Sequence, residues 1–232
     1  EIGYIRLNRF AQSSNEEMVQ AITELQSEGM QSLILDLRGN GGGYLNVAVD
    51  ICDQFLSGDK LIVYTKGAKS PRQELKAQKK GLFEQGRLVI MVDESSASAS
   101  EILSGAVQDW DRGVIVGRRT FGKGLVQRPF DMYDGSQIRL TTSRYYTPSG
   151  RCIQKPYDAG VEEYQMDYYN RLSHGELLSA DSVHFADSLR CFTSGNRLVY
   201  GGGGIMPDVF VPIDTMRASD YMINLRSKGL FN

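Results

Sequence analysis

Two short segments bring together residue types that can open an acyl bond without a histidine. Ser96-Ala97-Ser98-Ala99-Ser100-Glu101 sets serines where an apolar strand, Leu88 to Val92, turns into an apolar-faced helix. The free N–H groups and positive dipole end of a helix start suit a developing oxyanion. Phe121-Gly122-Lys123-Gly124 sets one lysine between two glycines just after another strand. A lysine among small residues can shed water and serve as a neutral amine base. A serine hydroxyl is a weak nucleophile until a base takes its proton, so each segment supplies what the other lacks.

Spacing alone leaves open which of the three serines acts. Ser96 lies on the N-cap side and Ser98 near the first turn. Ser100 points elsewhere, because successive helical residues diverge by about a hundred degrees. With Ser98 as the nucleophile, the N–H of Ala99 faces the oxyanion. A Ser-His-Asp triad needs a histidine, and His174 and His184 both lie in a polar stretch far from the glycine segments. Asp109 shares a helix face with Ser98 but sits about 16 Å along the axis, so it can only support another strand or loop.

A rival reading takes Gly117 to Lys123 as GxxxxGK, the start of a phosphate-binding loop. Gly124 then stands where a Mg²⁺-binding hydroxyl is needed. Leu125-Val126-Gln127-Arg128-Pro129 also reads as a strand ended by proline, not as a helix whose N-terminus could hold phosphate. Arg38-Gly39-Asn40-Gly41-Gly42-Gly43 closes a buried strand and is either an anion-holding nest or a plain flexible connection.

The elements that must position these segments alternate. Gly3 to Leu7 reads as a strand. Ser13 and Ser14, followed by Glu16 and Glu17, give two overlapping capping-box matches ahead of a helix stopped by Gly29. Ser32 to Leu37 is a nearly continuous apolar run, as in a strand covered on both faces. A helix carrying Val47, Ala48, Ile51 and Phe55 follows, then the strands Leu61 to Thr65 and Leu88 to Val92. The helix Ser98 to Trp110 and the strand Val114 to Val116 complete a layered α/β core. The charged run Lys66 to Lys80 is a solvated loop or hairpin. Gln137 to Tyr146 alternates as an exposed antiparallel strand. Residues 158–189 are helix-prone, polar and tyrosine-rich, and read as a surface insertion. Arg197 to Tyr200 and Val209 to Val211 are short strands.

The 232 residues suffice for one sizeable α/β domain. A formal net charge of −2 offers no basic footprint for nucleic acid. Cys52, Cys152 and Cys191 form no metal-ligand pattern, so no metal is expected. Cys52 reads as core filling, and a Cys152–Cys191 disulfide is open. No apolar run reaches membrane-spanning length. The chain opens at Glu1 directly into a strand and reads as an excised or processed fragment.

Five segments occur in order: Asp36 to Gly43, Val92 to Ile102, Gly117 to Gln127, Tyr146 to Arg151, and Gly201-Gly202-Gly203-Gly204-Ile205-Met206-Pro207-Asp208. Together they resemble the carboxy-terminal processing proteases, also called tail-specific proteases. The likeness runs from Gly3 to about Pro212 and is weak only across 158–189. It implies a serine–lysine peptidase with the spiral α/β core shared by Clp-type proteases and crotonases, here with an antiparallel β extension and a helical insertion. Carried onto this chain, Ser98 is the nucleophile, Lys123 the general base, and Gln127 the residue that orients the lysine. The N–H groups of Ala99, Gly42 and Gly43 hold the oxyanion, and Asp109 is supportive.

The same resemblance implies protein or peptide substrates with apolar C-terminal tails, no cofactor, and an extracytoplasmic, periplasmic or cell-envelope location. Oligomeric state stays open. The PDZ domain that such proteases carry ahead of this core does not fit before Gly3, so residues 1–232 are expected to be one peptidase domain. Two other readings remain: a catalytically inactive peptide-binding scaffold of the same fold, and a crotonase-like enzyme that binds acyl-CoA.

Overall fold

The computed structural model describes residues 1–214 and Leu225. Contacts divide the chain into two units. The first comprises Glu1–Pro156 with Phe185–Val209, and the second Tyr157–His184 with Phe210–Asn232.

The first unit is a mixed α/β structure with a parallel and an antiparallel sheet. Its elements are β1 (Ile2–Arg6), α1 (Ser14–Ser27), β2 (Ser32–Asp36), α2 (Leu45–Asp53), β3 (Leu61–Lys66), β4 (Gln73–Lys76), β5 (Arg87–Val92), α3 (Ala99–Asp109), β6 (Val114–Gly117), β7 (Leu125–Asp131) and β8 (Gln137–Tyr146). Two short strands, β9 (Arg190–Phe192) and β10 (Leu198–Tyr200), pair antiparallel, and β11 (Val209–Phe210) ends the series. One sheet runs β1-β2-β5-β6-β11, with β1 to β6 parallel. The other is antiparallel and runs β4-β3-β8-β7.

One face of the parallel sheet is fully buried, and the other, at Ile34, Val89 and Met91, is partly covered, so its strands are apolar on both sides. Leu33 and Leu35 of β2 and Leu88, Ile90 and Val92 of β5 are all buried. Ordinary core side chains of this size each contribute about 1.5–3 kcal/mol when removed from water. Helix α3 is buried on every side from Ala99 to Asp109 and packs on α2, β3 and β6. Its apolar stripe of Ile102, Leu103, Ala106 and Val107 and its polar residues are buried alike, and its small residues, Ala99, Ser100, Ser104, Gly105 and Ala106, let its neighbours approach. The carboxyl ends of β2 and β5 lie side by side, Asp36 against Met91, so the segments after them share one edge of the sheet. Those are the glycine-rich loop from Arg38 and the turn that carries Ser98.

Several expectations change in detail. Neither capping box forms at the start of α1. The Ser13 hydroxyl instead donates to Glu17 at 2.7 Å, and Ser14 Oγ donates to the Arg9 carbonyl while accepting from Ala11 N–H. The strand after Lys123 does not stop at Pro129 but continues to Asp131. It can do so because β7 is an edge strand, where a missing N–H costs no ladder bond. The charged run is a hairpin of β3 and β4. Cys52 is wholly buried, and burial pushes its thiol up. Cys152 and Cys191 are free thiols.

The second unit holds α4 (Val161–Ser173), with Arg171 buried near Asp167 and Glu176. Leu177 is wholly buried, and its carbonyl accepts from Ile213 N–H. Phe185 belongs to the first unit, where its ring stacks on Tyr200 at 4.8 Å. Among the described residues no helix is long and apolar enough to cross a membrane.

Candidate active site

Ser98 is the N-cap of α3 and has φ 58° and ψ −110°. A positive φ is uncommon for a residue with a Cβ and costs of order 1–3 kcal/mol, so the surroundings must impose it. They do so through Glu101, whose Oε2 accepts the Ser98 N–H at 2.8 Å. The carbonyl of Ser98 accepts from both Glu101 and Ile102 N–H, which closes the first helical turn beneath it.

The structure separates the three serines. Ser96 is wholly buried, accepts from Asp93 N–H and donates to the Leu37 carbonyl at 2.8 Å. Ser100 is wholly buried and donates to the Asn40 carbonyl at 2.9 Å. Both tie the turn to the end of β2. Ser98 alone is partly exposed. The N–H of Ala99 opens the helix and has no acceptor among the described residues, as expected of a first-turn donor.

The glycine-rich loop lies against this turn. A Cβ on Gly42 would stand 2.9 Å from both Ala99 N and Ser98 Cβ, and its φ of 95° also calls for glycine. Asn40 fixes the approach. Its side chain donates to the Leu7 carbonyl at 2.7 Å and accepts the Gly42 N–H at 2.9 Å, while its carbonyl accepts from Ala97 N–H. The Gly42 N–H is thus engaged, whereas that of Gly43 has no acceptor among the described residues.

The lysine segment is anchored on the same glutamate. Glu101 is wholly buried, and burial pushes its carboxyl up against the pull of four donors. Its Oε2 accepts the N–H of Lys123 at 2.8 Å as well as that of Ser98. Its Oε1 accepts the Thr120 hydroxyl at 2.6 Å and Gly122 N–H at 2.7 Å. One carboxylate oxygen therefore joins the backbones of Ser98 and Lys123. The loop that resembled a phosphate cradle does hold an anion, and that anion is Glu101. Around it, Gly122 accepts from Lys155 N–H, and Gly124 donates to Gln154 Oε1 and accepts from Tyr145 N–H. A Cβ on Gly122 would meet Lys155 Cβ at 2.9 Å and Gly204 N at 3.2 Å, so the second glycine-rich loop backs the lysine segment.

The side chains of Lys123 and Gln127 are exposed, and among the described residues no hydrogen bond joins either to Ser98. Asp109 is buried, pairs with the guanidinium of Arg151 at 2.7 Å and accepts Ser149 N–H at 2.9 Å. It thereby anchors the 147–151 turn and stays apart from the Ser98 hydroxyl. Asp36 grips the Arg38 guanidinium at two points and accepts from the Tyr4 hydroxyl at 2.8 Å. Burial alone would raise its carboxyl, but Arg38 and Tyr4 hold it down at about 2.

A family model for peptidase family S41 matches residues 1–163. The chain belongs to peptidase family S41. A carboxyl-terminal-processing protease of Synechocystis sp. is 34% identical over 204 residues, 88% of this chain and 47% of that protein. Carboxyl-terminal-processing peptidase 3 of Arabidopsis thaliana, a chloroplastic protein, is 40% identical over 150 residues, 63% of this chain and 28% of its own length. The solved structure of a photosystem II D1 C-terminal processing protease superposes with a TM-score of 0.68 at 28% identity, over 96% of this chain and 45% of that one. The chain spans half or less of the length of these relatives.

In this S41 chain, sequence reasoning passed over two residues that organise the site, Glu101 and Asn40. For Glu101 a signal existed: Ser98-Ala99-Ser100-Glu101 is a capping-box pattern at a helix start, and the Glu101 half of that box forms. For Asn40 the only local contact is the turn bond from Gly42 N–H; its other partners, Leu7, Ala97 and Ser100, are distant in sequence and left no signal. Among the described residues no group of three acidic, histidine or cysteine side chains could hold a metal ion.

Proposed function

We propose that this S41 chain is a serine endopeptidase domain that cuts protein substrates near apolar C-terminal tails, with Ser98 as nucleophile and Lys123 as general base. One observation carries the reading. A single carboxylate oxygen holds the N–H of both residues, and it does so around the one serine of three that is left partly exposed.

In the forward step the neutral Lys123 amine takes the Ser98 proton, and Oγ adds to the scissile carbonyl carbon. The oxyanion is received by the N–H of Ala99 and of Gly43. Gly42 would join only by leaving Asn40 Oδ1. Collapse of the adduct breaks the C–N bond, and the lysine ammonium returns its proton to the leaving amine. Water, deprotonated by the same amine, then hydrolyses the acyl-serine. Because Lys123 is exposed, the bound substrate itself must exclude water from it, with Gln127 on β7 positioning the amine. Asp109 contributes by holding the 147–151 turn. No metal or organic cofactor enters these steps. An extracytoplasmic location rests on the likeness to processing proteases.

A second reading has its own observation. The exposed lysine and the lack of a Ser98–Lys123 hydrogen bond also suit a scaffold that holds peptides without cutting them. Mass spectrometry of an unfolded protein with an apolar tail decides between the two. The peptidase reading expects new C-termini with the unmodified chain and none with Ser98→Ala or Lys123→Ala. Full activity in either variant, or no cleavage by the unmodified chain at neutral to alkaline pH, defeats it.

A further inference from the structure

The parallel sheet receives its helices on one face only. Its order follows chain order from β1 to β6, so each right-handed crossover returns on the same side. Ile22 of α1, Ile51 of α2 and Ile102 of α3 accordingly share one core with Leu33, Leu35 and Ile90. The alternate side chains of the same strands point away from that core. Tyr4, Ile34, Val89 and Val114 are successive partners in the strand register and form one apolar row across four strands. Met91 and Val116 extend it toward the carboxyl ends of β5 and β6. Tyr4 is 52% and Val114 42% exposed, and the other four are partly exposed.

Two cations flank the row on opposite sides. Arg6 stands beyond Tyr4 on β1 and Arg87 ahead of Val89 on β5, both on this face and both exposed. Neither has an ion pair among the described residues. Asp36, the register partner of Arg6, is taken by Arg38 and by the Tyr4 hydroxyl. The Tyr4 bond also pins an exposed ring in place, so covering it loses little further freedom.

The geometry points to a docking surface for one amphipathic helix of a partner protein, with an apolar stripe between acidic flanks. Three strand spacings make the row about 14 Å long, which a helix of roughly ten residues spans. The row of Met91 and Val116 lies about 7 Å further along the strands, so the patch is about as wide as one helix. Carboxylates on the two flanks of that helix meet Arg6 on one side and Arg87 on the other. A second copy of this chain fits worse. Stacked face to face, it sets Arg6 and Arg87 against cations of their own kind. An apolar patch of roughly 150 Å² also falls far short of the about 800 Å² per partner that a stable dimer buries. The surface does not include Ser98 or Lys123, and the inference is independent of the peptidase reading.

The test measures binding to the full chain carrying Ser98→Ala, so that cleavage does not interfere. Three fluorescent peptides of about fourteen residues are compared. One has leucines at helical i, i+3, i+4 and i+7 spacing with glutamates on both flanks, the second has lysines for those glutamates, and the third is the acidic sequence scrambled to remove the stripe. We expect the acidic helix to bind about tenfold or more tightly than either control, and added salt to narrow its lead over the lysine twin. Arg6→Gln with Arg87→Gln should erase that lead and melt with its parent, since both side chains are exposed and unpaired. Val114→Glu sets a charge at the exposed end of the row and should weaken the acidic helix about tenfold. Val114→Thr, which keeps the β-branch, should weaken it about threefold and serves if the glutamate disturbs the strand. A scrambled peptide that binds as well as the helix, or binding unaltered by Val114→Thr and by a folded Val114→Glu, overturns the surface. A lead over the lysine twin that survives the double arginine substitution overturns the acidic assignment. Sedimentation of the chain as a dimer that Val114→Glu dissolves makes a second copy the occupant and overturns the helix.

Discussion

The turn around Ser98 and the strand that begins beyond Lys123 are joined through Glu101, yet they are held in opposite ways. The turn is sunk in the core. Ser96, Ser100, Asn40 and Glu101 are wholly buried, and each hydrogen bond they make reaches a segment far away in sequence or closes the turn itself. A positive φ survives at Ser98 because so many partners enforce it. Strand β7 is an edge strand exposed from Gln127 to Asp131, and only its first residues are partly covered. The lysine backbone belongs to the first regime and its side chain to the second. Under the proposed mechanism the contrast becomes a division of labour in which the fold presets Ser98 and the N–H groups of Ala99 and Gly43, and the arriving substrate completes the surroundings of Lys123.

The bluntest way to break that picture is to remove the reacting groups. Ser98→Ala and Lys123→Ala should each lower turnover of an unfolded protein substrate by about 10⁴-fold or more. Both should melt within a degree or two of the unmodified chain, since neither side chain carries the packing of the turn. A variant that loses its fold along with its activity would place that residue among the structural partners instead.

Glu101→Gln is the next largest effect and separates the two regimes most cleanly. The amide keeps the shape but turns an N–H toward donors, so at least one of the four now paired loses its acceptor. A displacement near the nucleophile of about an ångström costs on the order of 10²-fold in rate, and one unpaired buried donor costs about 1–3 kcal/mol. The pH dependence carries a sign. Burial raises the Glu101 carboxyl, so the folded chain takes up this proton more readily than the unfolded chain does. Stability through this group therefore grows as pH falls, while the carboxylate needed by Ser98 and Lys123 is lost. Activity should decline on the acid side, above the ordinary carboxylate range, in a chain that stays folded. Glu101→Gln should abolish that limb in kcat/KM profiles, and a limb unchanged in the variant would assign it elsewhere.

What the sequence made legible follows the same line. Buried parallel strands are contiguous apolar runs, and so β2 and β5 could be read within a residue or two. The segments after them could then be set on one sheet edge. Capping boxes could not be judged locally. The pattern at Ser13 and Ser14 is as good as the one at Ser98, yet only the latter produces a Glu-to-N-cap bond. The Ser14 hydroxyl is drawn to the Arg9 carbonyl by the loop before α1, a tertiary choice that no four-residue window contains. The exposure of Lys123 was equally hidden, because flanking glycines show that backbone can approach and do not show what covers the side chain. The continuation of β7 through Pro129 depended on its being an edge, which only sheet order reveals.

The buried serines sharpen the contrast at smaller cost. Ser96→Ala and Ser100→Ala should each destabilise the chain by about 1–3 kcal/mol, because each leaves a buried backbone partner short of a hydrogen bond. Thermal or urea unfolding measures this. Turnover at a temperature well below the melt should fall far less than in Ser98→Ala. If Ser100→Ala were as inactive as Ser98→Ala while folded, the assignment of the nucleophile to the exposed serine would fail.

Gln127 is expected to show the least. It is exposed on β7, just past the register shift between Val126 and Gln127, whose extra residue is Thr142 of β8. If the substrate, and not the resting fold, brings the amine into position, Gln127→Ala should leave stability unchanged. It should lower kcat by roughly tenfold or less, with KM little affected, since an exposed neutral hydrogen bond contributes about 0.5–1.5 kcal/mol. A drop comparable to that of Lys123→Ala would mean that β7 is as preorganised as the serine turn, and the two regions would then have to be treated as one rigid device. A change confined to KM would instead make Gln127 a substrate contact, and the positioning of the lysine would pass to Glu101 and the peptide alone.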